Sequence, residues 1–403
     1  MAESGSERPT RRQVHVHPPI LRAGFRPFFL VGSVFAPIAI LLWLVELAGL
    51  SPMPCSIDPL AWHQHEMLFG FSSAIIAGFI LTAIPSWTGR LPVVGGALAG
   101  LVLLWLVGRV AIFLGGAIGT PTAPLIDVAF LFVLVGLIVR EIIKGSNWRN
   151  LPPALVIGLL AIANGLFHLE QQGLIAVDGL GTRLGIAAIA TLIGLIGGRI
   201  VPSFTRNWLV KRQASNKASG ALPSPFATFD KLALLLLAIA LFCWVARPEA
   251  RLAAMLLAFA GITHLIRLGR WRFWNCLAEP LVLILHIGYG WLAIGLLLLG
   301  LTRLIPTISD LAALHALTTG AFGTMMLAVM TRATLGHIGR ALSADGWTVT
   351  IYAAVTAGAI ARVLSPLLPS ETWLQAAGLL WAGGFLLFAL IYGRMLIGIR
   401  AEH

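Results

Sequence analysis

Two histidines and a glutamate stand together at the edge of a long apolar stretch, in the segment 61-AWHQHEMLFGF-71. Imidazole nitrogens are common ligands of iron and copper, and a carboxylate beside them can orient a ligating ring or move protons. Such polar groups are costly in apolar surroundings unless they have a partner. We therefore take His63, His65 and Glu66 as candidates for metal binding and acid–base chemistry.

The composition requires that these residues lie on or beside membrane-spanning helices. The chain has 403 residues, of which 58% are hydrophobic and only 11% charged, and its mean hydropathy is +0.90. Apolar runs of about 18 residues or more follow one another along the chain, and a helix satisfies its own backbone polar groups inside lipid. The sequence predicts an all-α polytopic membrane protein with about twelve transmembrane helices.

The lengths of the apolar runs and the positions of the charged residues divide the chain into five parts. An N-terminal tail (1–27) precedes helices 1 to 6 (28–202), a basic loop (203–228) leads to helices 7 to 12 (229–397), and a short tail (398–403) follows. Most of the 28 Lys and Arg residues fall on the side of the tails and the loop, which predicts that both termini are cytoplasmic. The net charge of +12 is explained by this bias and requires no nucleic-acid partner.

The predicted helices gather six polar residues near the outer surface. Helices 2 and 10 enter the membrane there and helix 5 ends there, which brings together His63, His65, Glu66, His168, Glu170 and His315. The set predicts metal ligation by the histidines, with the two glutamates as catalytic proton relays or as acceptors for the ligating rings. The alternative for any one histidine is an interfacial residue that bonds to water.

Two further histidines lie toward the inner half. His264 and His286 are a weaker candidate pair of metal ligands, and His264 can instead reach the inner interface beside its neighbouring arginines. In the outer set, a regular helix would turn His63 and His65 about 200° apart. They would then face different centres, or share one metal if the chain after Pro59 is irregular.

Arg109 is a basic residue predicted inside a span. A turn near Ile118 lies nine residues after Arg109 and nine before Asp127, so an antiparallel hairpin places both side chains at one depth. A buried charge is tolerable when it is paired. The simple interpretation is an interhelical ion pair, and the functional one is that Arg109 binds a haem propionate through its planar guanidinium.

A weak internal repeat relates helices 2, 6 and 10. Glycine, glycine and arginine follow His65 at intervals of 5, 24 and 25 residues, and they follow His315 at the same intervals. A third segment, 202-PSFTR-206, is similar to 85-PSWTGR-90. This spacing predicts three units of four helices, an arrangement that resembles the haem-copper oxidases. His65 and His315 occupy equivalent positions, so we take them as candidate axial ligands of one haem.

Several motifs together resemble the NnrS family across essentially all the predicted helices. They are 25-FRPFFL-30, 62-WHQHEMLFGF-71, 78-GFILTAIPSWTGR-90, and His315 followed by TRATLGHIGR up to Arg340. The resemblance implies a multi-pass protein of the bacterial inner membrane that contains haem b and copper and relieves nitrosative stress. The metal-site candidates that it implies are His63, His65, Glu66, His315 and, as a further candidate, His337.

Resemblance and residue chemistry agree on a metal centre near the outer surface, and they leave the reaction open. The leading hypothesis is an oxidoreductase of the nitric oxide reductase type that takes electrons from a quinol or a cytochrome. The first alternative is a haem or copper protein that senses nitric oxide or transfers electrons without catalysis. The second is a secondary transporter, against which the outer position of the polar cluster argues, because transporter sites lie near the membrane midplane.

Overall fold

The computed structural model describes residues 16–119, 121–215, 221–368 and 370–398. In these residues twelve helices are long and apolar enough to cross a membrane, and no strand is present. The predicted fold class is therefore confirmed. The rest of the predicted tails and the centre of the predicted basic loop lie outside the described residues.

The twelve helices are numbered in chain order. They are α1 (Phe25–Leu47), α2 (Pro59–Thr88), α3 (Gly95–Phe113), α4 (Thr122–Lys144), α5 (Trp148–Gln171), α6 (Leu180–Ala214), α7 (Thr228–Ala246), α8 (Arg251–Arg270), α9 (Pro280–Leu301), α10 (Asp310–Ile338), α11 (Gly346–Leu367) and α12 (Glu371–Ile397).

One helix is longer than predicted. The predicted basic loop (203–228) begins inside α6, which stays helical as far as Ala214. Lys211 and Arg212 lie in its last turn, where cationic side chains are favoured by the partial negative charge of a helix C-terminus. The connection between the two halves of the chain is therefore shorter than the sequence predicted.

Three helices form the centre of the bundle. Each helix packs against the next one in the chain, and α12 packs back against α1. In addition, α2, α6 and α10 contact one another. Their apolar windows are 67–72% buried, whereas those of the other nine are 33–61% buried. The central helices are spaced four apart in the chain, as three units of four helices would require.

Each central helix contains a π-helical segment, and this was not predicted. The segments are Glu66–Phe71 in α2, Ile193–Gly197 in α6 and Ala316–Gly323 in α10. A π turn holds more residues than an α turn and is frequent at functional sites. Three such segments on the three central helices are a second feature that supports the repeat.

A side chain from a neighbouring helix bonds to a carbonyl oxygen of each π segment. Trp105 Nε1 donates to Gly70 O (3.0 Å), Arg267 Nη1 to Gly194 O (3.0 Å) and Trp381 Nε1 to Thr319 O (3.2 Å). These are all indole or guanidinium donors, whose N–H groups reach across a helix–helix contact. The π segments are thereby tied to the helices around them.

The repeat glycines have a physical explanation. Gly89 and Gly339, each 24 residues after its histidine, end α2 and α10 in the left-handed conformation with φ of 69° and 82°. Glycine adopts this conformation without the steric cost that a Cβ brings, which is why it commonly ends helices. The shared spacing therefore reflects an equal distance from the histidine to the end of the helix in α2 and α10.

Candidate metal centre

Three buried side chains from three helices meet, and two of them are histidines that face the carboxylate of the third. His65 of α2 places Nε2 3.0 Å from Asp127 Oδ2, and His168 of α5 places its Nε2 2.9 Å from the same oxygen. Asp127 comes from α4. One ligand atom from each residue lies within 4.8 Å of the others. Within the described ranges this is the one group of three such side chains with that spacing, and we call it the His65–Asp127–His168 cluster.

The cluster is enclosed by further polar contacts. Asn164 donates from Nδ2 to Asp127 Oδ2 (2.8 Å), and its Oδ1 lies 3.1 Å from His65 Nε2. Glu66 Oε1 lies 3.0 Å from His65 Nδ1. These residues are at most 4% exposed, as are the three members of the cluster. Because water does not reach these polar atoms, they rely on one another for hydrogen bonds.

Arg109 joins the two carboxylates from the opposite side. Its Nη1 donates to Glu66 Oε2 (2.6 Å), and its Nη2 donates to Asp127 Oδ1. The ion pair predicted from the helical hairpin is therefore confirmed, and it has a second carboxylate that the sequence did not suggest. Both Nη atoms are occupied by these contacts, so the geometry favours the ion-pair interpretation over a propionate anchor.

The π segment of α2 positions this ion pair. A Cβ on Gly70 would collide with Glu66 Oε2 and Arg109 Nη1, so the carboxylate and the guanidinium lie against the bare backbone. Trp105 bonds to Gly70 O and also lies under Arg109, with the guanidinium carbon 5.8 Å from its ring centre. One glycine and one tryptophan thus fix the arginine.

The acceptors around His65 outnumber the donors that a neutral imidazole offers. Both of its ring nitrogens face carboxylate oxygens, yet a neutral imidazole carries only one N–H. Glu66 and Asp127 also outnumber Arg109 as charges. An additional proton, on His65 or on one of the two carboxylates, would balance the site, and so would a metal ion in place of the N–H facing Asp127. Donor atoms about 3 Å apart suit one ion with bonds of about 2.1 Å to nitrogen and oxygen.

The structure separates His63 from His65, as the helical turn predicted. His63 stacks on Trp43 of α1 with ring centres 4.9 Å apart, and its Nδ1 is buried without a hydrogen-bond partner. His315 Nδ1 bonds to Leu311 O (2.8 Å). His63 and Arg362 are both within electrostatic range of His315. The sequence paired His315 with His65, but the polar contacts of His65 are to Glu66, Asp127 and Asn164 and do not include His315.

Two other predicted residues have contacts outside the cluster. Glu170 accepts a hydrogen bond from the backbone N–H of Gly179 just before α6, so its observed contact is to the α5–α6 connection. His337 stacks on Phe25, with ring centres 5.3 Å apart, at the opposite end of α10 from His315. The predicted roles of both residues in proton or metal chemistry stay predictions.

His264 and His286 have different partners in the structure. His264 Nδ1 lies 2.7 Å from Tyr289 Oη. His286 Nε2 lies 2.8 Å from Thr205 Oγ1 and 3.7 Å from Cys276 Sγ. Both imidazoles are buried. The contacts therefore give no support to their prediction as a joint ligand set.

Sequence reasoning missed two residues of the site. Asp127 was recognised only as the partner of Arg109, and Asn164 was not considered although it lies four residues before His168. Residues at that spacing share one face of a helix, so the i, i+4 relation was the available signal. For Asp127 the signal was its equal depth with the outer histidines.

Fold and site define a class: a polytopic membrane protein with a buried cluster of histidines and carboxylates near one end of its helices. The family model described as NnrS protein matches residues 19–400, nearly the whole chain. The chain therefore belongs to the NnrS family, whose members are membrane proteins linked to the nitric oxide response. A search of curated proteins finds no match.

Proposed function

We propose that this protein binds a redox-active metal ion at the His65–Asp127–His168 cluster and reduces nitric oxide there. The observation that carries the proposal is the convergence of three buried ligands within 4.8 Å. Two imidazoles and one carboxylate with further positions open are the ligands of many non-haem Fe(II) centres. Copper accepts the same donor types, so the identity of the metal has to be determined by metal analysis.

The surrounding residues have distinct parts in this proposal. His65, Asp127 and His168 hold the ion, which supplies an open position for nitric oxide and a route for electrons. Glu66 orients His65 through Nδ1 and is the carboxylate nearest to the site that can pass protons. Arg109 keeps both carboxylates fixed. Two nitric oxide molecules would give nitrous oxide and water, and would consume two protons and two electrons from a quinol or a cytochrome.

For haem b we propose His63 and His315 as the ligands, in place of His65 and His315. His63 has a buried nitrogen without a partner, and His315 has Nδ1 anchored to a carbonyl, which leaves Nε2 for a metal. The positive charge of Arg362 acts on both imidazoles, and a guanidinium suits a propionate. We propose these three residues as the haem site, where a bound haem would supply a route for electrons.

The size and apolar lining of one cavity favour a small uncharged substrate. It has a volume of ≈ 70 Å³ and lies between α2, α5, α6 and α10, with Ile75, Ile157, Ile193 and Met325 among its lining residues. Cavities of this kind stay dry and bind small apolar molecules. Nitric oxide is a neutral diatomic molecule that dissolves in lipid, so such a cavity can hold it close to the central helices.

The test combines metal analysis, visible spectra and nitric oxide consumption on purified protein. His168→Ala should lose the non-haem metal and keep the haem absorbance, whereas His315→Ala should lose the haem absorbance. His17→Ala, which changes a histidine that is no candidate ligand, serves as the control and should keep both. Wild-type protein without any bound metal, after growth with adequate iron, copper and haem, would overturn the proposal.

A non-catalytic sensor or electron-transfer protein is distinguished by the same preparation. Reduced protein that contains both metals should consume nitric oxide continuously when an artificial electron donor is present. Binding of nitric oxide without consumption would leave the metal sites in place and replace the catalytic function by sensing or electron transfer.

A further inference from the structure

A second, larger cavity lies at the other end of the bundle from the His65–Asp127–His168 cluster. Its volume is ≈ 600 Å³, which is within the range of small-molecule binding sites. It is formed where α10 ends, α11 begins and α12 makes its last turns, so three membrane-spanning helices terminate around it. Ends of such helices lie at the level of the lipid headgroups.

The lining has a cationic part and an apolar part. Arg340 and Arg394 are both exposed, and within the described residues neither forms an ion pair. Ile338, Ile391 and Met395 supply an apolar wall beside them. The cavity thus offers two guanidinium groups next to hydrocarbon surface, which suits a molecule with an anionic head and an apolar tail.

The acidic residue of the lining, Asp345, is occupied by its own helix. Its Oδ1 accepts hydrogen bonds from Thr348 N (2.8 Å) and Thr348 Oγ1 (2.6 Å) and so caps the start of α11. These bonds lower the pKa of the Asp345 carboxyl group, so it is charged at neutral pH. With two arginines and one aspartate, the cavity has a net charge of about +1.

The equivalent arginine of the first unit has a different environment. Arg90 follows His65 at the interval at which Arg340 follows His315. Arg90 forms an ion pair with the buried carboxylate of Glu141, whereas no described carboxylate pairs with Arg340. A topology signal alone explains a basic residue at this end of both helices. It does not explain why the guanidinium of Arg90 is neutralised by a carboxylate while that of Arg340 lines a cavity.

We propose that this cavity binds the headgroup of an anionic phospholipid, with the phosphate between Arg340 and Arg394. Arginine binds phosphate through paired, charge-assisted hydrogen bonds, and basic pockets between transmembrane helices bind anionic headgroups. An acyl chain runs along Ile338, Ile391 and Met395. The site is independent of the metal chemistry proposed above.

The experiment measures lipid binding to the full-length protein by native mass spectrometry in detergent. Phosphatidylglycerol should stay bound, and phosphatidylcholine should bind at least about tenfold more weakly. Arg340→Gln combined with Arg394→Gln should reduce phosphatidylglycerol binding about tenfold or more, because each charged hydrogen bond is lost. Arg149→Gln combined with Arg206→Gln removes two exposed arginines from the same end of the bundle and should leave binding unchanged.

Two outcomes would overturn the proposal. One is equal binding of both lipids, or an equal loss of phosphatidylglycerol in both double variants, which would indicate general attraction to positive charge. The other is full displacement by glycerol 3-phosphate at concentrations matching the lipid, which would indicate a site for soluble phosphate esters. Unchanged thermal unfolding of the lipid-free variants, measured alongside, ensures that lost binding reflects the cavity and not the fold.

Discussion

Asp127 is the residue on which the candidate metal centre depends most. One carboxylate serves four side chains, because Oδ2 faces His65, Asn164 and His168 while Oδ1 accepts from Arg109. A metal ligand with this many contacts is oriented before the ion arrives, and such surrounding contacts commonly tune metal affinity. The same contacts make the residue structurally important without metal.

Replacing Asp127 should therefore affect both metal content and stability. In Asp127→Asn the shape is kept, but Arg109 loses one of its two carboxylates while it remains buried. Breaking a buried ion pair costs about 3–5 kcal/mol. We expect bound metal to be lost and the thermal unfolding temperature to fall, measured by metal analysis and by unfolding in detergent. Asp178→Asn, an exposed aspartate on the α5–α6 connection, is the matched control. Metal retention at wild-type stability in Asp127→Asn would contradict this role.

Gly70 is predicted to be as sensitive as the charged residues around it. Its missing Cβ leaves room for Glu66 Oε2 and Arg109 Nη1, so Gly70→Ala should push the ion pair apart and lower both metal content and stability. Gly100→Ala is the control, because a Cβ there meets no atom within 4 Å and alanine favours a helix by up to about 1 kcal/mol. If both variants unfold at the same temperature and bind equal metal, Gly70 has no special role.

At the scale of elements, the π segments explain why pairings could not be predicted from spacing. Hydropathy gives the depth of a residue, and on that basis the outer histidines and the Arg109–Asp127 pair were found. Which way a side chain points depends on the turn of its helix, and about 100° of rotation comes with each extra residue. His315 directly precedes a π segment, and His65 does too. Their equivalent repeat positions suggested His65 as the partner of His315, whereas in the fold the ring of His65 lies 4.7 Å from that of His168.

The glycines inside the π segments were visible in the sequence but ambiguous. Gly70, Gly194 and Gly320 all lie in such segments, yet glycine is common in membrane helices generally. A π segment also depends on donors from other helices, and no sequence pattern reveals which tryptophan or arginine will reach a given carbonyl oxygen. The helices were thus predictable, whereas their irregularities depend on tertiary contacts.

The indole donors should contribute to stability through these carbonyl groups. Trp105→Phe removes the bond to Gly70 O, which keeps a second bond from Ser73 Oγ, and Trp381→Phe removes the bond to Thr319 O. The loss of one such hydrogen bond costs about 0.5–1.5 kcal/mol. Both variants should unfold at lower temperature than Trp347→Phe, whose tryptophan is 61% exposed and makes no such bond. Equal unfolding temperatures for all three variants would show that the π segments need no external donor.

At the scale of the whole molecule, the two halves of the chain contain related polar networks. In the first half Arg109 pairs with Asp127 across α3 and α4, and in the second Arg267 pairs with Asp230 across α8 and α7. Each guanidinium lies beside the π segment of its own central helix, at Gly70 and at Gly194. The second network has Tyr289 and His264 but no group of three metal ligands among the described residues. A buried arginine–aspartate pair beside a π segment is thus common to both networks, and the candidate metal ligands are found only in the first among the described residues.

Metal binding should stabilise one part of the bundle rather than all of it. The cluster connects α2, α4 and α5, and Arg109 adds α3, so bound metal should restrain the ends of these four helices that meet there. The remaining helices contribute no member to it. Hydrogen–deuterium exchange of metal-loaded and chelator-treated protein should therefore differ in segments 59–71, 105–113, 122–131 and 160–171, and stay equal in 371–397. Binding that stabilises only the folded form slows local opening in proportion to its affinity. A uniform change along the chain, or one centred on α12, would place the metal elsewhere and contradict the assignment of His65, Asp127 and His168 as its ligands.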